Sequence, residues 1–246
     1  PKHGYGQIAE ATADAIGRDR IRTGARITRL SHDDREIRQV TVNDDARVGV
    51  DSIVSTLPLT RVLHLLDPPP PEAVRSVAES MRFRHLRLVV LGLDRPRLTA
   101  NASLYFPERS IPFTRLYEPK NRSPHMAPDD QTVVVLERPC HPHTEAWEQS
   151  DDTLRNSAVD LLATQGFIEG DGDVVAVDHR ALPFAYPILE VGAHDKANRL
   201  KAYLDHFNNL HLLGRSARFT YTHVHNLYAR ARRLTERIAP RAESVA

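Results

Sequence analysis

Four consecutive prolines, Pro68 to Pro71, constrain this chain more than any other feature. Proline has no backbone N–H and a fixed φ, so such a run enters neither a helix interior nor a central strand. It reads as a rigid extended connector, and a domain boundary is expected beside it. The 246 residues suit one large domain or two small ones. The expected division is residues 1–66 together with 207–246, and residues 67–206.

Periodicity fills in both sides of the connector. Over 5–17, Ile8, Ala11, Ala15 and Ile16 share a helical face and Gly17 is the stop. Short alternating runs from Ile21 to Val50 follow, broken by polar turns at 31–34 and 43–45, which predicts a small antiparallel meander. Residues 51–58 read as a buried strand closed by Thr56-Leu57-Pro58. Beyond the prolines a short helix is expected over 72–80. An antiparallel sheet is expected over 82–139, with Leu86 to Leu93 its strongest strand. A helix over 151–165 carries Leu154, Ala158, Leu161 and Leu162 on one face, with Asp151 or Asp152 as its N-cap. Two short strands (174–177, 185–188), a helix (194–206), a strand (210–215) and a last helix (223–238) complete an α/β, or α+β, pattern.

The chemistry concentrates near the end. A strand breaks at Gly214-Arg215, a polar-aromatic segment runs from Ser216 to Tyr221, and a long helix follows. Such a turn aims backbone N–H groups and a helix N-terminus at one spot, which suits a phosphate or a ring that gains negative charge. Gly214 permits close backbone approach, and Arg215 offers a forked donor set for an anion. By itself this is also ordinary punctuation of an α/β fold. Tyr186 is a candidate for a substrate-pocket wall, with plain packing as the equal alternative.

Four segments in order carry a resemblance. These are the Pro1 to Gly6 opening before a helix, "IRTGARITRL" at 21–30, "VDSIVSTLP" at 50–58, and "NLHLLGRSARFTYTHVHN" at 209–226. Their succession resembles the flavin-containing amine oxidase superfamily, which includes protoporphyrinogen oxidases, phytoene desaturases and UDP-galactopyranose mutases. The resemblance implies a remnant of an FAD-binding Rossmann-like domain (1–66 and 207–246) and an antiparallel-sheet substrate domain (67–206). It implies that the Ile27 backbone meets the adenine, that Thr56 and Pro58 lie beside the cofactor, and that Gly4 and Tyr5 face the flavin. It further implies that Gly214 and Arg215 lie near pyrophosphate and flavin, Arg215 in an electrostatic catalytic role. The segment Thr222 to Asn226, with His225 and Asn226, would set a helix N-terminus at the pyrimidine edge of the flavin. Many relatives have Gly-Asp or Gly-Glu where this chain has Gly214-Arg215, a pairing closer to the mutase-like branch.

No G-x-G-x-x-G occurs in the sequence. In the family that unit grips the dinucleotide, so the FAD site is expected to be incomplete. A preceding segment or a partner chain would supply the rest, and the start at Pro1 without Met reads as that of a fragment. The expected activity is oxidation of a small organic substrate by hydride transfer to flavin, or a mutase reaction on reduced flavin. A non-catalytic binding module of the same fold is the competing class.

Other chemistries have less support. Lys plus Arg is 33 against 32 Asp plus Glu, so net charge makes no case for nucleic acid. No apolar run approaches the roughly 20 residues of a membrane span. The single Cys140 excludes an internal disulfide and fits a reducing cytoplasm. Cys140, His141, His143, His223 and His225 read as loop and helix-start residues rather than metal ligands, with one of His223 and His225 facing inward. Ser216 lacks the G-x-S-x-G elbow of a hydrolase.

Overall fold

A computed structural model describes residues 1–238. The end of segment 207–246, beyond Ile238, lies outside the described residues. In chain order the elements are α1 (Gly6–Ile16), β1 (Ile27–His32), β2 (Ile37–Val42), β3 (Ala46–Gly49), β4 (Ile53–Ser55), α2 (Leu59–Leu65), β5 (Leu66–Asp67) and α3 (Glu72–Glu79). Then come β6 (Phe83–Leu93), β7 (Ser103–Tyr105), β8 (Arg115–Tyr117), β9 (Thr132–Cys140), α4 (Glu145–Glu148), α5 (Asp151–Thr164), β10 (Val174–Pro187), α6 (Ala193–Leu204), β11 (Leu210–Leu212) and α7 (Val224–Ile238). The fold is α/β, with helices beside antiparallel and parallel sheets.

The described residues pack into two compact units, Pro1–Thr23 with Arg84–Ala185, and Gly24–Phe83 with the described residues from Tyr186 onward. These divisions fall elsewhere than at the prolines. Pro71 leads directly into α3, which packs on α2 and α6 of its own unit. Here Pro70 is itself buried.

The first unit is built on a five-stranded sheet ordered β10-β6-β9-β8-β7. β6 and β9 form its spine, antiparallel from His85 opposite Cys140 to Leu93 opposite Thr132. Val89, Leu91 and Leu93 alternate onto one face and close a core with Phe113, Leu116, Val134, Leu136 and the α5 residues Leu154, Ala158 and Leu162. The N-cap of α5 is Ser150, not Asp151 or Asp152: its hydroxyl accepts from the Thr153 N–H at 3.2 Å. Both aspartates lie in the first turn, where they complement the helix dipole. Further along the same face of β6, the buried Arg87 donates to the carbonyls of Trp147 and Gln149 and to Asp151 in the first turn of α5. Glu118 is fully buried and accepts from the N–H groups of Leu98 and Thr99, from the Asn121 amide and from the Thr132 hydroxyl. The two short strands expected at 174–177 and 185–188 are one strand, β10, which absorbs a left-handed residue at Phe184 (φ 55) without breaking.

The second unit holds the expected meander. β1, β2 and β3 are antiparallel neighbours, and β5 adds to β1 in parallel. Asn43 and Asp44 turn the β2–β3 hairpin at φ 53 and 63, a conformation Asn and Asp tolerate because their short side chains bond locally. Asp33 holds the β1–β2 turn by accepting from Arg35 N, Glu36 N and Arg38 Nε, and these bonds pull its carboxyl down to about 2. A separate parallel pair joins β4 to β11, Ile53 opposite Leu210. α2 was not anticipated, yet it buries Leu59, Val62, Leu63 and Leu65.

Candidate functional site

Parallel strands bring their C-terminal ends to one side, where α/β proteins place their ligands. β4 and β11 do so here. The loops leaving them are tied together: Leu213 N donates to Ser55 O at 3.0 Å, and Leu59 N donates to Ser216 O at 3.1 Å. Gly214 has φ +106, which strains any residue with a side chain, and its Cα faces Thr56: a Cβ built there would lie 3.7 Å from the Thr56 Cβ. Pro58 ends the other loop as the N-cap of α2, its carbonyl accepting from Arg61 N and Val62 N. Thr56, Pro58, Gly214 and Arg215 therefore form one double turn.

From Gly214 the chain coils tightly. Arg218 N donates to Gly214 O, Phe219 N to Ser216 O and Thr220 N to Arg215 O. Phe219 (φ 50) anchors the coil: its buried ring meets Phe83 edge-on at 5.1 Å. The coil leaves Arg215 beside two aromatic rings. Its guanidinium lies 4.7 Å from the Tyr186 ring centre and 5.2 Å from that of Tyr221, and the two rings are 6.0 Å apart. A cation over aromatic faces at these distances is attracted by their quadrupoles. The structure thus joins Arg215 to Tyr186, which lie 29 residues apart in sequence (215 − 186). Sequence reasoning missed Tyr221. Its signal was its place in the segment between Gly214 and α7.

The ring series continues outward. Tyr221 meets His223 at 6.5 Å, and His223 stacks on His225 at 5.8 Å with 9° between planes. Both histidines are exposed, so neither faces inward as expected. His223 precedes the first helical residue, Val224, and so escapes the helical spacing that would separate i and i+2. Its carbonyl accepts from Asn226 N and Leu227 N, closing the first turn of α7.

The remaining candidates lie elsewhere. Ile27 opens β1 in the meander, half-buried and opposite Val42. Gly4 and Tyr5 belong to the first unit. Gly4 (φ +85) sits against Met126, and Tyr5 is 71% exposed just before α1. A cavity of about 770 Å³ opens in the second unit along β11, lined by Asp51, Ser52, Asn209, Leu212, Arg218 and Arg237 among others. Nearby, burial and then Arg218 and Arg230 push the Lys201 amine below its ordinary range, with Asp205 opposing. Among the described residues no group of three or more His, Cys, Asp or Glu could hold a metal ion, and no helix is long and apolar enough to cross a membrane.

The donor set fits one end of a flavin dinucleotide. The Gly214 turn exposes backbone beside Thr56, with a cation and two aromatic rings at hand. The sequence contains no G-x-G-x-x-G.

Residues 1–239 match the family described as flavin containing amine oxidoreductase. A reduced UDP-galactopyranose mutase structure is similar at TM-score 0.75 and 19% identity, over 89% of this chain and 47% of that one. A protein described as a protoporphyrinogen oxidase, from Exiguobacterium sp. 255-15, is similar at 0.72 and 18%, over 96% and 51%. A triple mutant of putrescine oxidase is similar at 0.67 and 16%, over 96% and 53%. The chain spans about half the length of these proteins. At such identities the likeness concerns the fold. A search of curated proteins gave no match.

Proposed function

Since this chain belongs to the flavin-containing amine oxidoreductase family, we propose that it forms the flavin-end and substrate-binding half of an FAD-dependent oxidoreductase acting on a small organic molecule. The observation that carries the reading is the double turn: Gly214 against Thr56, with Arg215 between Tyr186 and Tyr221. Bound flavin supplies the redox chemistry by accepting a hydride. The roles of this chain are to bind and to orient. Gly214 gives the ligand access to the backbone. Arg215 opposes negative charge that builds up on the ligand, and the two tyrosines hold its guanidinium in place. Ile27, Pro58, Gly4, Tyr5, His225 and Asn226 are further candidate cofactor contacts, and the unit containing the five-stranded sheet is the candidate substrate domain.

A second reading has its own support. Arg215 follows Gly214 where many relatives carry an acid, and a guanidinium fits an anionic substrate such as a nucleotide sugar. Mutase-like chemistry on reduced flavin would use the same turn. A module of this fold that binds without catalysis is the alternative to both.

Flavin titration of the purified chain tests the proposal. With a nucleotide-binding partner segment present, added FAD should be retained, with its visible bands released on denaturation; the chain by itself should hold it weakly. Arg215→Ala should weaken retention roughly 10- to 100-fold, the scale of one hydrogen bond to a charged group. A colourless chain that takes up no added FAD, whether or not a nucleotide-binding partner segment is present, overturns the flavoenzyme reading. Retention of a UDP-sugar without flavin would favour the non-redox module.

A further inference from the structure

The two edges of the five-stranded sheet differ. β7 is three residues long, a common way of blunting an edge. β10 is fourteen residues long and stands largely in the open. Val175, Val177 and Leu182 on it are 50%, 40% and 41% exposed. A long edge with uncovered apolar side chains is a template for another strand.

The charges on β10 select the strand. Side chains alternate along it, so Ala176, Asp178, Arg180 and Leu182 share one face, and Val175, Val177, His179 and Ala181 the other. Asp178 and Arg180 are exposed and lie within 2.7 Å of each other, one acid and one base flanking His179. Suppose a second copy of β10 runs antiparallel beside the first, about a two-fold axis through His179. Asp178 then faces Arg180 of the second copy, and Arg180 faces its Asp178. Val177 faces Ala181 and Ala176 faces Leu182. An axis one residue either way would place Asp178 against itself, or Arg180 against itself. Only the His179 register of these three pairs both charges and sets apolar side chains opposite each other. Pro183 and the left-handed Phe184 end the matched stretch.

We propose that β10 is a self-association edge, pairing with β10 of a second copy of this chain antiparallel about a two-fold axis at His179. The interface is isologous, so each side-chain contact occurs twice.

Sedimentation velocity and light scattering on the whole chain test this. The wild type should move with concentration from monomer mass toward twice that mass. Asp178→Arg and Arg180→Asp should each weaken the dimer at least about tenfold, because each sets like charges face to face twice. The double variant Asp178→Arg with Arg180→Asp restores the pairing and should return the affinity to within about threefold of wild type. Circular dichroism melts should leave all three variants folded, since both residues are exposed. A second measurement avoids charge altogether. Opposed residues of an antiparallel pair lie close enough for a disulfide, so His179→Cys should form a covalent dimer under mild oxidant. Val175→Cys, which faces Pro183 in this register, should not, and nor should the buried native Cys140. The proposal is overturned by a wild type that stays monomeric, by single reversals that leave the dimer intact, by a double reversal that fails to restore it, or by a Val175→Cys chain that links as readily as His179→Cys.

Discussion

α5 and α7 are nearly the same length, 14 and 15 residues, and both are amphipathic in sequence. α5 buries Leu154, Ala158, Val159, Leu161 and Leu162, while α7 buries nothing. On α7 the equivalent stripe, Leu227, Ala231, Leu234 and Ile238, is only half-buried, and Val224 and Tyr228 are exposed. Periodicity therefore predicts a helix and its apolar side, but not what covers that side. α5 is covered because β6, β8 and β9 present Val89, Leu91, Leu116 and Leu136 to it. Among the described residues α7 meets no such wall.

The largest test of this contrast is Leu162→Ala. The residue is fully buried in the sheet–helix core, and its truncation should cost about 2–5 kcal/mol in chemical denaturation. A loss below about 1 kcal/mol would mean that the α5 face is less closed than its burial implies.

The cap of α5 should matter less. Ser150→Ala removes the acceptor for the Thr153 N–H and should cost about 1 kcal/mol in the same assay. Asp151→Ala would have to show the larger cap effect if the N-cap were the aspartate.

Next is a pH effect beside the entry to α5. His85 stacks edge-on against Trp147 and lies against Phe184. Burial foremost, then the charges of His141 and His143, lowers its pKa below the ordinary 6.5. A base with a lowered folded pKa binds fewer protons folded than unfolded. Its contribution is complete above about 6.5 and is lost as pH falls below that toward the folded value. Thermal melts from pH 7.5 downward should show a drop that His85→Gln flattens. A drop of equal depth in His85→Gln would assign it to other groups.

The smallest effect belongs to α7. Tyr228→Ser, at an exposed position, should shift stability by less than about 0.5 kcal/mol. A change of core size there would show that another surface closes over this helix.

Much of the architecture was legible because side-chain periodicity is local. The meander, the β6 strand, α5, α6 and α7 all follow from it. α2 was not legible: Leu59 to Leu65 is one short run with Thr60, Arg61 and His64 among its apolar residues, and a run of that length reads equally as strand or turn. β10 was read as two strands because Pro183 and Pro187 mimic a stop, and only the neighbouring β6 shows the chain running on. At the candidate site Gly214, Arg215, Thr56 and Pro58 stood out as turn chemistry. The nearness of Arg215 to Tyr186 and Tyr221 could not be seen, because it depends on how the 214–220 coil folds back.

The sequence by itself determined where the chain must turn. Glycine at φ +106, the Asn43-Asp44 hairpin and the prolines are backbone constraints that each residue carries alone. Tertiary structure decided what those turns bring together. The proline run is the plainest case: its backbone constraint is local, but α3 beyond it packs on α2 before it and on α6 far along the chain, all in one unit. Burial is a property of pairs of surfaces, and no single stretch of sequence contains both.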